Sequence, residues 1–427
     1  MNLKQPHRAV LLVVACVAPI AVARAQDALP QGPLIAERYI AVRDRRHPET
    51  EPSGIAVGSF TLLPSIGMAG IYDDNVLATE TGKRDDLAIR LSPQLLFRSN
   101  LGDGDGVSIR LGAQADRYAH VTTEDGIDLD AATNGVVTIS HDTTIRFSAR
   151  WQSQRESRVS QDIFAQTEKP VRYSTAAGAL GLSQTMGRFA LSGDASLQRF
   201  DYDDARATNG SPVDEDFRDS DFVRLRGRIG YSQSPALGWF GQVTYDRRHY
   251  RDETTNASQR DSEGIQILAG AAFEPQALLR GEIGVGYLKR RYKDPGFEDF
   301  SGFAVNGKVQ FFYSQLTTFT LTAKREANDA GIPQSTGLIT TGGQVSIDHE
   351  LLRSLILSAS VSYYVDEFNG IDRRDTRWGA RAFADYQMSR NVALRLSFDH
   401  LNLGSQGADR FKASRDNRLF LGVTLRQ

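Results

Sequence analysis

Oily and polar side chains take turns along most of this chain. In its last stretch, NRLFLGVTLRQ, Leu419, Leu421, Val423 and Leu425 fall on one face. Phe420, Gly422, Thr424 and Arg426 fall on the other, because a strand points successive side chains to opposite sides. DDLAIRLSPQLLFR sets Leu87, Ile89, Leu91, Leu95 and Phe97 against Ala88, Arg90, Ser92, Gln94 and Arg98. TTIRFSARWQSQ sets Ile145, Phe147, Ala149 and Trp151 against Arg146, Ser148, Arg150 and Gln152. FVRLRGRIGYSQ sets Val223, Leu225, Ile229 and Tyr231 against Arg224, Arg226 and Arg228. Near the end, Val392, Leu394, Leu396 and Phe398 oppose Ala393, Arg395, Ser397 and Asp399. A soluble sandwich also has two-sided strands, so length decides. These segments reach the roughly 9–11 residues that a tilted strand needs to cross a bilayer, whereas soluble strands run to about 5–6.

The connections alternate too. Short ones fall at Asp142-Thr143, Met186-Gly187, 234–238, Gln315-Leu316 and Ser389-Arg390. Longer polar ones fall at 73–84, 155–170, 203–220, 251–263, 327–337 and 403–415. Outer-membrane barrels have short periplasmic turns and long outer loops. The pattern therefore predicts an all-β fold, a transmembrane antiparallel β-barrel over 58–427 with about eighteen strands. Alternation weakens near 126–141 and 337–349, which leaves the count open by a pair. Closure follows from physics: in lipid an unpaired backbone N–H or C=O costs several kcal/mol, so no sheet edge stays open. Aromatics near segment ends (Tyr72, Trp151, Tyr173, Tyr231, Trp239, Tyr287, Tyr313, Tyr363, Trp378, Tyr386) are expected to form interfacial girdles. The last strand lacks the terminal aromatic usual in barrels, ending Leu425-Arg426-Gln427.

Composition changes the picture in three ways. Charged residues make up 24% of the 427, but the net charge is only −2, which does not suit a nucleic-acid binder. Mean hydropathy is −0.36, and past residue 25 no apolar run is long enough for a membrane helix. A barrel is compatible with that value, because only alternate residues meet lipid. The first 25 residues pair a basic start (Lys4, Arg8) with an apolar run and Ala23-Arg24-Ala25, the form of a cleaved secretory signal. Cys16, the single cysteine, leaves lipidation as the alternative, and no disulfide scaffold is expected. Residues 26–57, rich in Pro and charge, read as a periplasmic lead-in or a partial plug.

Residues 54–100 resemble the opening of the putative β-barrel porin 2 family of Gram-negative outer-membrane proteins. The carrying features are Gly58-Ser59-Phe60, Leu63-Pro64-Ser65, Tyr72-Asp73-Asp74-Asn75, Ser92-Pro93 and Arg98-Ser99-Asn100. The resemblance implies a single-domain outer-membrane barrel, and a part in export of capsular or exopolysaccharide alongside periplasmic export proteins. It supplies no catalytic residues. General diffusion of small polar or anionic solutes, and a non-conducting adhesive barrel, stay open as alternatives. Lipid and the barrel assembly machinery are expected partners.

The candidate chemistry lies on the face opposite the oily one. By alternation it carries Arg90, Arg110, Arg146, Arg150, Arg172, Arg224, Arg226, Arg228, Arg280, Lys308, Lys324, Arg381 and Arg395. It also carries Asp116, Asp128, Asp130, Asp194, Glu282, Asp348, Asp385 and Asp399. Guanidinium groups in a polar channel bind carboxylates or phosphates in a two-pronged way, and a ring of cations selects anions. The plainer reading is that these arginines and acids pair across strands and fill the bore. The Arg224/Arg226/Arg228 row is the hardest to assign to pairing. GDGDG at 102–106 reads as a turn, and the seven histidines lack metal-ligand spacing. No cofactor, metal or catalytic residue is expected.

Overall fold

The computed structural model describes residues 39–99, 105–163, 165–251, 260–276 and 278–427. The signal segment with Cys16, residues 26–38 of the lead-in, and most of the GDGDG turn lie outside the described residues.

Nineteen strands form one sheet. One is a three-residue piece, Ile55–Val57. The other eighteen make the wall, starting with β1 (Phe60–Asp73), β2 (Asp86–Ser99), β3 (Gly106–Tyr118), β4 (Gly126–Ser140), β5 (Thr143–Arg155) and β6 (Arg172–Met186). Next come β7 (Phe189–Tyr202), β8 (Ser220–Ser234), β9 (Leu237–Tyr250), β10 (Ser262–Gln276), β11 (Leu279–Tyr292) and β12 (Phe300–Ser314). Last are β13 (Thr317–Asn328), β14 (Gly337–Leu352), β15 (Leu355–Asn369), β16 (Arg374–Gln387), β17 (Val392–Gln406) and β18 (Ser414–Arg426). Each strand pairs antiparallel with the next, and β18 pairs back onto β1 from Ser65↔Arg426 to Asp73↔Arg418. The wall is a closed eighteen-strand barrel, as the alternation predicted. The two-residue connections all lie at one end and the longest ones at the other; the class places the turn end in the periplasm.

The oily face points outward. Leu87, Ile89 and Leu421 are 60%, 63% and 63% exposed, while Ala88 between the first two is 3% exposed. Exposed Leu and Ile around a barrel are what acyl chains require rather than a solubility fault. The weakly alternating stretches are strands as well, β4 and β14. On β4 the outward position Gly135 breaks the pattern, and a Cβ there would lie 2.1 Å from the Phe147 ring of β5. That ring covers the gap and restores the apolar surface from the neighbouring strand.

Tyr72, Trp151, Trp239, Tyr287, Tyr313, Tyr363, Trp378 and Tyr386 are exposed, as a girdle needs. Tyr173 is a correction. It is 6% exposed and stacks on Tyr202 at 5.0 Å on the inward side, because its register neighbours Thr175 and Ala177 face the bore. The Tyr72-Asp73-Asp74-Asn75 motif clasps the seam where the barrel closes. Asp73 holds Arg418 at 2.8 Å, Asp74 accepts the Asn417 backbone N–H at 2.7 Å, and fully buried Asn75 donates to the Arg415 carbonyl at 3.0 Å.

Candidate functional site: the bore of the barrel

The inward positions are fixed by strand parity, and they bring arginines and acids together. Arg90 grips Asp116 with two hydrogen bonds of 2.6 and 3.0 Å. Arg110 and Arg150, from β3 and β5, share Asp130 on β4 at 2.9 and 2.8 Å. Arg395 holds Asp385, and Arg381 holds Asp399. Arg146 donates to Ser183 Oγ, and Arg280 to Gln310 Oε1. Lys324 reaches Glu326. Asp128 is held by Arg155, and Asp348 by Arg43 of the N-terminal segment.

The Arg224/Arg226/Arg228 row faces inward on β8, and two of its members have carboxylate partners. Arg226 meets Asp194 of β7 at 2.6 Å. Arg228 reaches past two intervening strands to Glu282 of β11, at 2.7 and 2.8 Å. On the way its guanidinium lies 3.8 Å from the centre of the Phe240 ring. That ring lies against the wall because β10 and β11 offer glycines beneath it. A Cβ on Gly270 would lie 2.5 Å from Phe240 Cζ, and one on Gly284 3.1 Å. Arg224 stacks over Phe222. Arg172 is placed differently from its expected face. It shares strand parity with the exposed Leu180 and Leu182, which puts it outward, and its Nη2 donates to the Ile127 carbonyl and to Ser153 Oγ.

Both ends of the bore hold chain that strand alternation cannot reveal. At the turn end, residues 39–53 run along the inner wall. The Tyr39 ring packs 5.8 Å from Phe312, and its carbonyl accepts from Arg280. The Val42 N–H donates to Thr318 Oγ1. Arg43 lies over Phe383 and 3.5 Å from Asp348; Arg45 pairs with Glu350 at 3.3 Å. The carbonyls of Glu49 and Thr50 accept from Arg390 and Arg426. Arg46 holds the Glu51 carboxyl below its ordinary range through two hydrogen bonds. The segment thus touches the wall from β11 round to β18 before Ile55–Val57 pairs with β1.

At the loop end the connection between β5 and β6 crosses the mouth. The Gly331 N–H, in the β13–β14 connection eight strands further round, donates to Asp162 Oδ1 at 3.2 Å. A side chain on Gly331 would meet Asp162 Cβ at 2.7 Å, so glycine permits the contact. Arg373, after β15, donates to the Gln161 carbonyl. Beneath the crossing, Arg218 is buried against Glu156 at 2.6 Å and Glu215 at 2.9 Å, with its guanidinium 4.0 Å from the Tyr202 ring. Burial pushes the Glu215 carboxyl above its ordinary range against the pull of Arg218. Arg158 ties in the β3–β4 connection through Glu124 at 2.6 Å.

A closed barrel with a charged inner face and its own chain across both mouths is porin-like architecture, and the comparisons with known proteins agree. The description "Putative beta-barrel porin 2" matches residues 47–427. The chain belongs to that family. This barrel is therefore an outer-membrane, porin-like protein. No curated relative matches it. Among solved structures, OpdL of Pseudomonas aeruginosa is 11% identical, with 87% of this chain and 99% of that one covered and a TM-score of 0.43. OccAB4 of Acinetobacter baumannii is 10% identical over 86% and 98%, with a TM-score of 0.44. Pseudomonas aeruginosa OccK2 (OpdF) in complex with glucuronate is 11% identical over 86% and 98%, also at 0.44. Likeness of this degree says nothing about what this porin 2 barrel carries.

Proposed function

We propose that this porin 2 barrel is a diffusion channel for small polar solutes, with a preference for anions, rather than a conduit for capsular or exopolysaccharide. The observation that carries this is the double occupation of the bore. Residues 39–53 lie along the wall at the turn end, and the β5–β6 connection reaches across the loop end to Gly331. What passes must pass beside both, which suits a small solute better than a long hydrated chain that would have to thread both narrowings at once. Arginine-rich walls favour solutes that carry negative charge. The carboxylates of the wall moderate that preference, because most of the arginines named above already hold one.

The test is liposome swelling by the purified full chain, with sugars and organic acids of increasing size. Monosaccharides and small acids should swell the vesicles, and oligosaccharides should not. In planar bilayers with potassium chloride, the reversal potential should show a mild anion preference. Equal entry of long oligosaccharides, or loss of secreted polysaccharide on deleting the gene, would favour the export role that the family resemblance implies.

A further inference from the structure

We propose that the cavity between the N-terminal segment and the barrel seam binds a small monocarboxylate, with Arg98 as its anchoring cation; this rests on the solute-channel reading above. The cavity measures about 170 Å³ and lies at the turn end, where Glu51 and Pro52 face the inner wall of β1, β2, β17 and β18. A water occupies about 30 Å³ in the liquid, so the space suits a small organic molecule. It exists because this part of the wall is built from short inward side chains, among them Ser65, Gly67 and Ala69 on β1 and Gly422 on β18.

Of the charges around it, all but Arg98 hold a hydrogen-bonded partner, and Arg98 feels the Glu51 carboxylate only through space. Arg90 holds Asp116, Arg395 holds Asp385 and Arg46 holds Glu51. Arg426 donates to the Thr50 carbonyl and to Gln387. Arg98 is half-buried, lines the cavity, and makes no hydrogen bond or ion pair among the described residues. Its guanidinium offers five N–H donors in a planar fork. A carboxylate fits that fork with two parallel hydrogen bonds, which a point anion such as chloride cannot do. Both acids of the lining already face an arginine, so an incoming carboxylate meets little uncompensated negative charge. Leu63, Leu96 and Pro52 give the rest of the ligand an apolar surface, so a short hydrocarbon body suits the site better than a second charge.

The test is calorimetric titration of the detergent-purified full chain with butyrate, and with butyramide as the neutral isostere. Butyrate should bind saturably and butyramide should not. Arg98→Gln should weaken butyrate at least about tenfold, as loss of a charge-assisted hydrogen bond predicts. Arg98→Lys, which keeps the charge without the fork, should fall between. Gly67→Leu should abolish binding by filling the space; a Cβ there meets Ser92 and Thr424 only at an ordinary 3.6 Å, so the barrel tolerates it. Heat-modifiable gel mobility reports folding of each variant. Equal butyrate binding by wild type and Arg98→Gln, equal binding of butyramide, or no butyrate binding at all would overturn the site. Potassium chloride conductance is measured separately. A conducting protein that fails the butyrate test loses only this site, whereas a non-conducting one loses the channel reading.

Discussion

The two ends of the bore are narrowed by different physics. At the loop end the closing contacts are buried charges. The side chains of Arg218 and Glu156 are 2% and 6% exposed, and Arg373 and Asp375 are 3% and 0% exposed. Breaking such a pair strands a charge away from water and costs about 3–5 kcal/mol. At the turn end the N-terminal segment is held by wetter pairs. Arg43 is 46% exposed and its partner Asp348 11%; Arg45 is 24% exposed and Glu350 8%, so each pair keeps one end in water. Exposed pairs contribute about 0–1 kcal/mol each. The outer closure is thus a fixed part of the fold, and the inner one is a strap held by many weak contacts. If the barrel adjusts its bore, the turn end is where it costs least.

This contrast can be broken at its strongest point first. Arg218→Ala should weaken the outer closure by about 3–5 kcal/mol, with trypsin cutting within 203–219 and noisier, larger single-channel currents. The barrel itself should keep its heat-modifiable mobility, since no wall strand is cut. Unchanged protease resistance would mean that the outer loops hold without this pair. Gly331→Val should push Asp162 away and cost about 1–3 kcal/mol, with the same readouts in weaker form. At the other end, Arg43→Ala or Arg45→Ala should each cost at most about 1 kcal/mol. Urea unfolding should barely move, while hydrogen exchange over 39–53 should quicken. A large loss of stability there would erase the distinction between the two ends.

The smallest effect is with pH, and it is read on two groups of the outer loops. Burial raises the Asp219 carboxyl to about 6, opposed by the Tyr202 N–H and Arg251. A raised acid favours the proton in the folded loop, so closure of 203–219 loosens as pH rises from its unfolded value of 3.8 through about 6. Burial lowers Lys412 to about 8, helped by Arg158. A lowered amine binds its proton more tightly when unfolded, so 407–413 tightens as pH rises from about 8 towards 10.5. Hydrogen exchange corrected for intrinsic rate should show opposite trends in the two loops.

The wall was legible in the chain. Leu87, Ile89 and Leu91 announce their face because a strand has a period of two and lipid accepts few charges. The same parity places Arg224, Arg226 and Arg228 inward. It fails at Tyr173 and Arg172, near a strand end where the run begins and nothing in the local pattern fixes its phase. It is also silent on partners. Arg228 and Glu282 lie 54 residues apart, and alternation names the wall each occupies, not the position round the ring. Arg98 falls on the polar face by alternation but is not among the candidate bore residues; that it makes no hydrogen bond among the described residues appears only once every neighbour's partner is known.

By itself the sequence determined the barrel, its strand number to within a pair, and which side chains meet lipid, because each of these follows from local periodicity and turn spacing. The tertiary structure decided how arginines and acids pair, that residues 39–53 lie inside the bore, and that Asp162 meets Gly331 across the mouth. Those contacts join segments with no periodic relation to one another. They depend on the diameter and stagger of the closed ring, and no stretch of chain encodes either quantity alone.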